Sequence, residues 1–213
     1  MLVVYIVLDD EYEDIFARHP PALAPPAYRE RIATMTSRAA RARTMAGLWL
    51  LEQGLAELGC REARIERLGF APGGRPVFAV GPWFSISHSA QLVACAVSER
   101  CAVGLDVERR RNGVSARLRH AIAPNGDFFA SWCAREATVK ASGRVGLARI
   151  RAVAIDGDSA YLDRRGWRLT PLALAPGYAG CVAAGAAIAP GAIECIDCAA
   201  RIDANSVRGN GRT

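Results

Sequence analysis

The sequence predicts an α+β protein of two similar halves, each a long helix packed on a small antiparallel sheet. Three observations carry that expectation. The order helix, glycine turn, strand, strand, strand occurs twice, with the second round beginning near Ala102. An apolar run from Leu2 to Leu8 reads as a buried first strand. The 213 residues are 51% hydrophobic and 23% charged, which supplies a core and excludes a fibrous or disordered chain. The halves are expected over 1–101 and 102–197, with a polar tail over 198–213.

The elements follow in order. The first apolar run has no basic residue before it and acids directly after it, so it fits a strand rather than a signal peptide. The proline-rich stretch 19–28 excludes a regular helix or central strand. Over residues 37–58, Met45, Leu48, Trp49, Leu51, Leu55 and Leu58 recur near helical spacing up to Gly59, with Arg38, Arg41 and Arg43 in the first turns. Glycine turns at Gly69 and 71–76 lead into strands at 77–80, 83–89, 91–97 and 102–108. An arginine-rich connection, 108–127, ends at Asp127, which starts a second helix over 128–142 that stops at Gly143. Strands are expected at 149–156, 166–175 and 177–187.

Charge and cysteine usage narrow the function classes. The 27 basic residues exceed the 21 acidic ones and give a net charge of +6, so the surface attracts phosphates, nucleic acid or acidic proteins. Every basic residue is arginine except Lys140. Seven cysteines, 60, 95, 101, 133, 181, 195 and 198, sit mostly in apolar runs and read as thiols of a reducing compartment. Cys195 and Cys198 form one CxxC pair with no second pair or nearby histidine, so it is not read as a zinc site. No stretch is long and charge-free enough to span a bilayer, and a soluble cytoplasmic monomer is expected.

Three segments could carry chemistry. In VGLDVE, strand alternation puts Val103, Leu105 and Val107 toward a core and Gly104, Asp106 and Glu108 on the other face, an open acidic shelf or else a solvated edge. In WCAREATVK, Trp132, Glu136 and Lys140 share one helix face, as an ordinary surface ion pair or as part of a site. Asp106, Glu108 and Glu136 together suit Mg²⁺, a hard cation that completes its octahedron with water and phosphate oxygens. In SISHS, Ser87 and Ser89 face one way and His88 the other, to hold a phosphate or to serve structurally. Adjacent strand residues do not form a Ser-His catalytic pair.

FSISHSAQLVACAV, VGLDVE and WCAREATVK, in that order, resemble the signature segments of 4'-phosphopantetheinyl transferases, most closely the two-halved, surfactin-type class. YRER (28–31), ARARTMAGLWLLE (40–52), GGRPVF (73–78) and GYAGCVAA (177–184) extend the resemblance over most of the chain. The resemblance implies the fold of that family and transfer of the phosphopantetheine arm of coenzyme A to a carrier-protein serine, with release of adenosine 3',5'-bisphosphate. It implies that Asp106, Glu108 and Glu136 hold Mg²⁺, that Glu136 takes the serine proton and that Lys140 meets the pyrophosphate. Arg31, Arg43, Thr44, Arg75, Ser87 and His88 match positions that hold the nucleotide and its phosphates.

The sequence departs from that pattern at Arg135, Ser85 and Tyr28, where lysine, asparagine and a basic residue are usual. The 30 positions from Asp106 to Glu136 are fewer than the class normally has, and Arg109, Arg110, Arg111, Arg117 and Arg119 there suggest a basic surface for an acidic carrier helix. The other readings are a member of that fold that binds coenzyme A or a carrier without turnover, and a basic nucleic-acid-binding module. Nucleic acid and membrane are not the expected partners, because the three carboxylates oppose the first and no span supports the second.

Overall fold

The computed structural model describes residues 1–18, 24–60, 62–72, 74–124, 126–144, 146–185 and 192–202. β1 (Leu2–Val7) is buried along most of its length, as its aliphatic run requires. α1 (Asp10–Ala17) follows at once, with the Asp9 carboxylate accepting from the Tyr12 N–H and Asp10, Glu11 and Glu13 at its positive end. α2 (Pro26–Ala33) begins with Pro26 in the first turn, where a missing N–H breaks no helix bond. The proline-rich stretch therefore gives way to a helix at its end, while residues 19–23 lie outside the described residues. α3 (Arg38–Glu57) is capped by Ser37 and buries Met45, Leu48, Trp49, Leu51 and Leu55. Gly59 turns the chain away at a φ of 69°.

β2 (Gly69–Phe70) and β3 (Pro76–Val77) pair only with each other, which is why the strand expected over 77–80 stops at Val77. β4 (Trp83–Ser89) and β5 (Leu92–Ser98) form a hairpin, followed by β6 (Val103–Arg109). Within the arginine-rich connection lies α4 (Ala116–Ile122), capped by Ser115. α5 (Phe128–Ala141) starts at Asp127, whose carboxylate accepts from the N–H groups of Phe129 and Ala130. The strand expected over 149–156 divides into α6 (Leu147–Ala152) and β7 (Ala154–Asp156), because Ile150 alone anchors that stretch as a helix turn before the chain extends. β8 (Ser159–Leu162), which was not expected, follows a turn at Gly157, and then come β9 (Arg165–Leu172), β10 (Tyr178–Ala184) and β11 (Glu194–Asp197).

The class is mixed α+β, with sheet orders β11-β1-β5-β4 and β6-β10-β9-β8-β7. β11 lies parallel to β1, so residues 194–197, assigned from sequence to the second half, complete the first sheet. α3 covers one face of the first sheet, where Val93, Cys95 and Val97 meet it, and α5 covers β6 and β10 in the second. The opposite faces meet each other through Val3, Leu92, Ala94 and Ala96 against Val103, Leu105, Val107 and Val182. Both faces of β5 are thereby covered, which accounts for its unbroken apolar run. Four cysteines are buried, Cys195 is exposed, and all seven are free thiols. No helix among the described residues is long and apolar enough to cross a membrane.

The edges of the two sheets join through side chains. Ser85, Ser87 and Ser89 on β4 accept from the N–H groups of Leu105, Val107 and Arg109 on β6 at 3.0, 3.3 and 3.0 Å. Ser87 donates in turn to Asp106 at 2.9 Å and Ser89 to Glu108 at 2.7 Å. On the other face of β6, α5 lies directly on Gly104: a Cβ there would stand 2.0 Å from the Ala137 carbonyl oxygen and 2.4 Å from the Ala141 nitrogen. The face expected as an open shelf is therefore covered by helix backbone at its start. Gly104→Ala is expected to lift α5 and destabilise the protein by on the order of 3 kcal/mol or more, read as a lowered denaturant midpoint.

Candidate functional site

Because α2, α3 and β4 come from one half and α5 from the other, their ends enclose a cavity of about 290 Å³. Arg31, Arg43, Arg75, Lys140 and Arg144 line it with Thr44, Ser85 and His88, over apolar walls from Leu48, Phe84 and Ile86. No acidic side chain is among the described residues of the lining. Five cations around one small space repel one another, and a bound polyanion would relieve that repulsion.

Arg75 is anchored by backbone carbonyls. Its Nη2 donates to the carbonyls of Phe84 at 3.3 Å and Val103 at 3.5 Å, spanning the two sheets, and burial lowers its pKa. Burial, then the Arg43 and Lys140 cations, holds the His88 imidazole below its ordinary pKa, so it is neutral at pH 7. The Thr44 hydroxyl commits its proton to the Ala40 carbonyl at 3.0 Å.

The carboxylates stand beyond Lys140. Asp106 is 3% exposed, and its Oδ1 accepts from Lys140 Nζ at 2.7 Å and from Ser87 at 2.9 Å. Its Oδ2 is buried without a hydrogen-bond partner among the described residues. Lys140 Nζ also donates to Ser87 Oγ at 3.0 Å and lies 3.5 Å from Glu136 Oε1. Burial pushes the Asp106 carboxyl up despite Lys140 and Ser87, and burial followed by the Asp106 charge does the same to Glu136. Although burial works against its charge, Asp106 and Glu136 raise the Lys140 pKa, so it is an ammonium at neutral pH.

These positions follow from two periodicities. Alternation along β6 puts Asp106 and Glu108 on the α5 side, and the four-residue helix step stacks Glu136 over Lys140 above them. Glu108 is the outlier of the group: it accepts from Ser89 and from Arg111 Nη1 at 3.0 Å. Among the described residues no three His, Cys, Asp or Glu side chains stand where they could hold a metal ion together. Lys140 engages one oxygen each of Asp106 and Glu136, and Arg111 pairs with Glu108. The oxygens are nevertheless of the carboxylate type that suits a hard divalent cation, and one of them is buried without a hydrogen-bond partner among the described residues.

Of the residues singled out in sequence, Arg31, Arg43, Thr44, Arg75, His88 and Lys140 line the cavity, and Asp106 and Glu136 adjoin it through Lys140. Ser87 is not in the lining; its hydroxyl is consumed by Val107, Asp106 and Lys140. The three departures from the resembled pattern have structural accounts. Tyr28 is buried, packs against Phe70 at 5.0 Å between ring centres with the rings tilted by 44°, and has its hydroxyl pushed up to about 12 by burial. Ser85 belongs to the serine ladder, and Arg135 points away to the Ile150 and Val153 carbonyls beyond α5.

Arg144 was missed in sequence. The signal for it was the helix-stopping Gly143, whose φ of 74° turns the chain after α5 and returns the next residue to the cavity. Also unforeseen is a second cavity of about 240 Å³ beside Glu108, with Val114, Leu118, Phe128, Phe129 and Trp132 in its wall. The Arg111 and Arg119 guanidinium groups lie over the Phe129 and Phe128 rings, and Arg110 pairs with Asp127 at 2.7 Å, so part of the expected basic surface is held locally. No protein-family model matches the chain, and no curated protein sequence matches it either.

The depressed His88 pKa sets a pH signature. An anion in the cavity raises that pKa, so binding takes up a proton and affinity increases as pH falls through the histidine titration. Calorimetric titration of inorganic pyrophosphate in buffers of different ionisation heat is expected to show this uptake in the wild type and a smaller one in His88→Gln.

Proposed function

We propose that this protein is a 4'-phosphopantetheinyl transferase of the two-halved, surfactin-type class, with that family's fold and the cavity between its halves as the coenzyme A site. The observation that supports this reading most is that Lys140 belongs both to the five-cation cavity and to the carboxylate cluster. A polyphosphate with a divalent counter-ion requires such a junction of positive and negative walls.

In this reading Arg31, Arg43, Arg75 and Arg144, with Thr44 and His88, hold the nucleotide and its phosphates. Asp106, Glu108 and Glu136 would hold Mg²⁺, which when bound neutralises pyrophosphate charge. Ser87 acts as a positioning residue, fixing Asp106 and Lys140. Glu136 accepts the proton of the carrier serine hydroxyl, directly or through one water. The serine oxygen bonds to the phosphorus that bears the pantetheine arm, the P–O bond of the anhydride breaks, and its electron pair leaves with adenosine 3',5'-bisphosphate. Lys140 offsets the charge that builds on that leaving group. The acidic acyl or peptidyl carrier protein docks against the arginine-bearing connection, where Arg109 and Arg117 are exposed, and the cavity beside Glu108.

Incubation with coenzyme A, Mg²⁺ and apo carrier proteins is expected to give a phosphopantetheine adduct on the carrier by mass spectrometry. Binding of coenzyme A with no adduct on any carrier would instead identify a member that does not turn over. Glu136→Gln and Lys140→Ala are expected to abolish transfer with the circular dichroism spectrum retained, and Lys140→Arg to slow it by about 10²-fold or more. Wild-type rates in these variants would remove the proposed mechanism.

A further inference from the structure

The five cations of the cavity fall into two tiers. Arg43, Arg75 and Lys140 are half-buried, and Arg43 and Lys140 both act on the charge of His88. Two of these three already direct donors at protein acceptors, Arg75 at the Phe84 and Val103 carbonyls and Lys140 at Asp106 and Ser87. Arg31 and Arg144 are exposed and form the outer tier. Neither of their guanidinium groups has a hydrogen bond or ion pair with another described residue. The outer pair draws one arginine from each half. Arg31 stands in the last turn of α2, one turn beyond the lining residue Tyr28, and Arg144 follows Gly143, where a Cβ would stand 3.5 Å from Arg75 Nη1. Two uncompensated like charges on one cavity cost free energy that an anion between them recovers.

We propose that Arg31 and Arg144 grip a second phosphate group, separate from the one held by the inner tier, and that Arg144 thereby selects ligands with two anionic groups over ligands with one. The apolar walls of Leu48, Phe84 and Ile86 call for a non-ionic body joining the two groups. The inference rests on the proposed function for the identity of the ligand: in coenzyme A the inner group is the pyrophosphate and the outer one is the phosphate monoester on the ribose. A monoester carries close to two charges near neutral pH and presents three oxygens, which suits a pair of guanidinium forks. A diphosphate alone satisfies the inner tier and leaves the outer pair facing solvent. The turn after α5 thus gives the second half a share in recognising the nucleotide end, which the α2 wall otherwise meets with one arginine and the neutral Tyr28.

Coenzyme A and dephospho-coenzyme A differ by that one monoester, so their affinities, measured by calorimetry with no divalent cation added, isolate the outer pair. The wild-type protein is expected to bind coenzyme A about tenfold or more tightly than the dephospho form, the effect of charge-assisted hydrogen bonds to one phosphate. Arg144→Gln is expected to weaken coenzyme A by about tenfold and the dephospho form by no more than about threefold, the effect of a screened rim charge. Arg31→Gln is expected to follow the same pattern, whereas Arg43→Gln, in the inner tier, weakens both ligands alike. Both outer arginines are exposed, so these variants leave the core untouched. Equal losses for the two ligands in Arg144→Gln, or equal affinities of the wild-type protein for them, would overturn the grip while leaving the transferase reading standing. Binding of neither ligand would overturn both.

Discussion

Everything in the site depends on how two sheet edges are joined. An edge strand presents N–H groups that need partners, and β6 presents those of Leu105, Val107 and Arg109 toward β4. Serine hydroxyls meet them. A hydroxyl can accept from an N–H and donate elsewhere at the same time, and Ser87 and Ser89 use that second capacity on Asp106 and Glu108. The bonds that close the joint therefore also orient the acids beside it. Each is worth on the order of 1 kcal/mol when made, and the buried groups cost more than that if left alone.

Helix α5 supplies the other half of the geometry. It sits low enough over β6 to bring Glu136 and Lys140 against Asp106 because Gly104 has no side chain to hold it off. The choice of lysine at that point has a physical basis in a chain whose other cations are all arginine. Three acceptors converge on one nitrogen, which a compact ammonium satisfies and a planar guanidinium fork does not. The arginines serve where their reach matters, around the cavity and, in Arg75, across the joint itself.

The parts legible in sequence were those fixed by local periodicity. Asp106 and Glu108 share a face because strands alternate, Glu136 and Lys140 share one because helices repeat near four, and Asp127 and Gly143 bound α5 by capping chemistry. Harder to read were features set by distant chain. β11 joins β1 across most of the sequence, and nothing in the short stretch 194–197 names its partner. The role of the S-x-S-x-S alternation was likewise hidden, since a serine on a strand suggests a ligand as readily as a neighbour's N–H. The arginine and valine run over 149–156 suggested one strand, yet its first part packs as a helix turn through Ile150.

Amide hydrogen exchange along β6, resolved by NMR, is the most direct test of the joint on which the site rests. The N–H groups of Leu105 and Val107 have serine oxygens rather than backbone carbonyls as partners, and they are expected to exchange as slowly as the paired amides of β5. In Ser85→Ala the protection at Leu105 is expected to fall while that of β5 persists. Fast exchange at Leu105 and Val107 in the wild-type protein would contradict the serine-closed joint, and with it the placement of Asp106 beside Lys140.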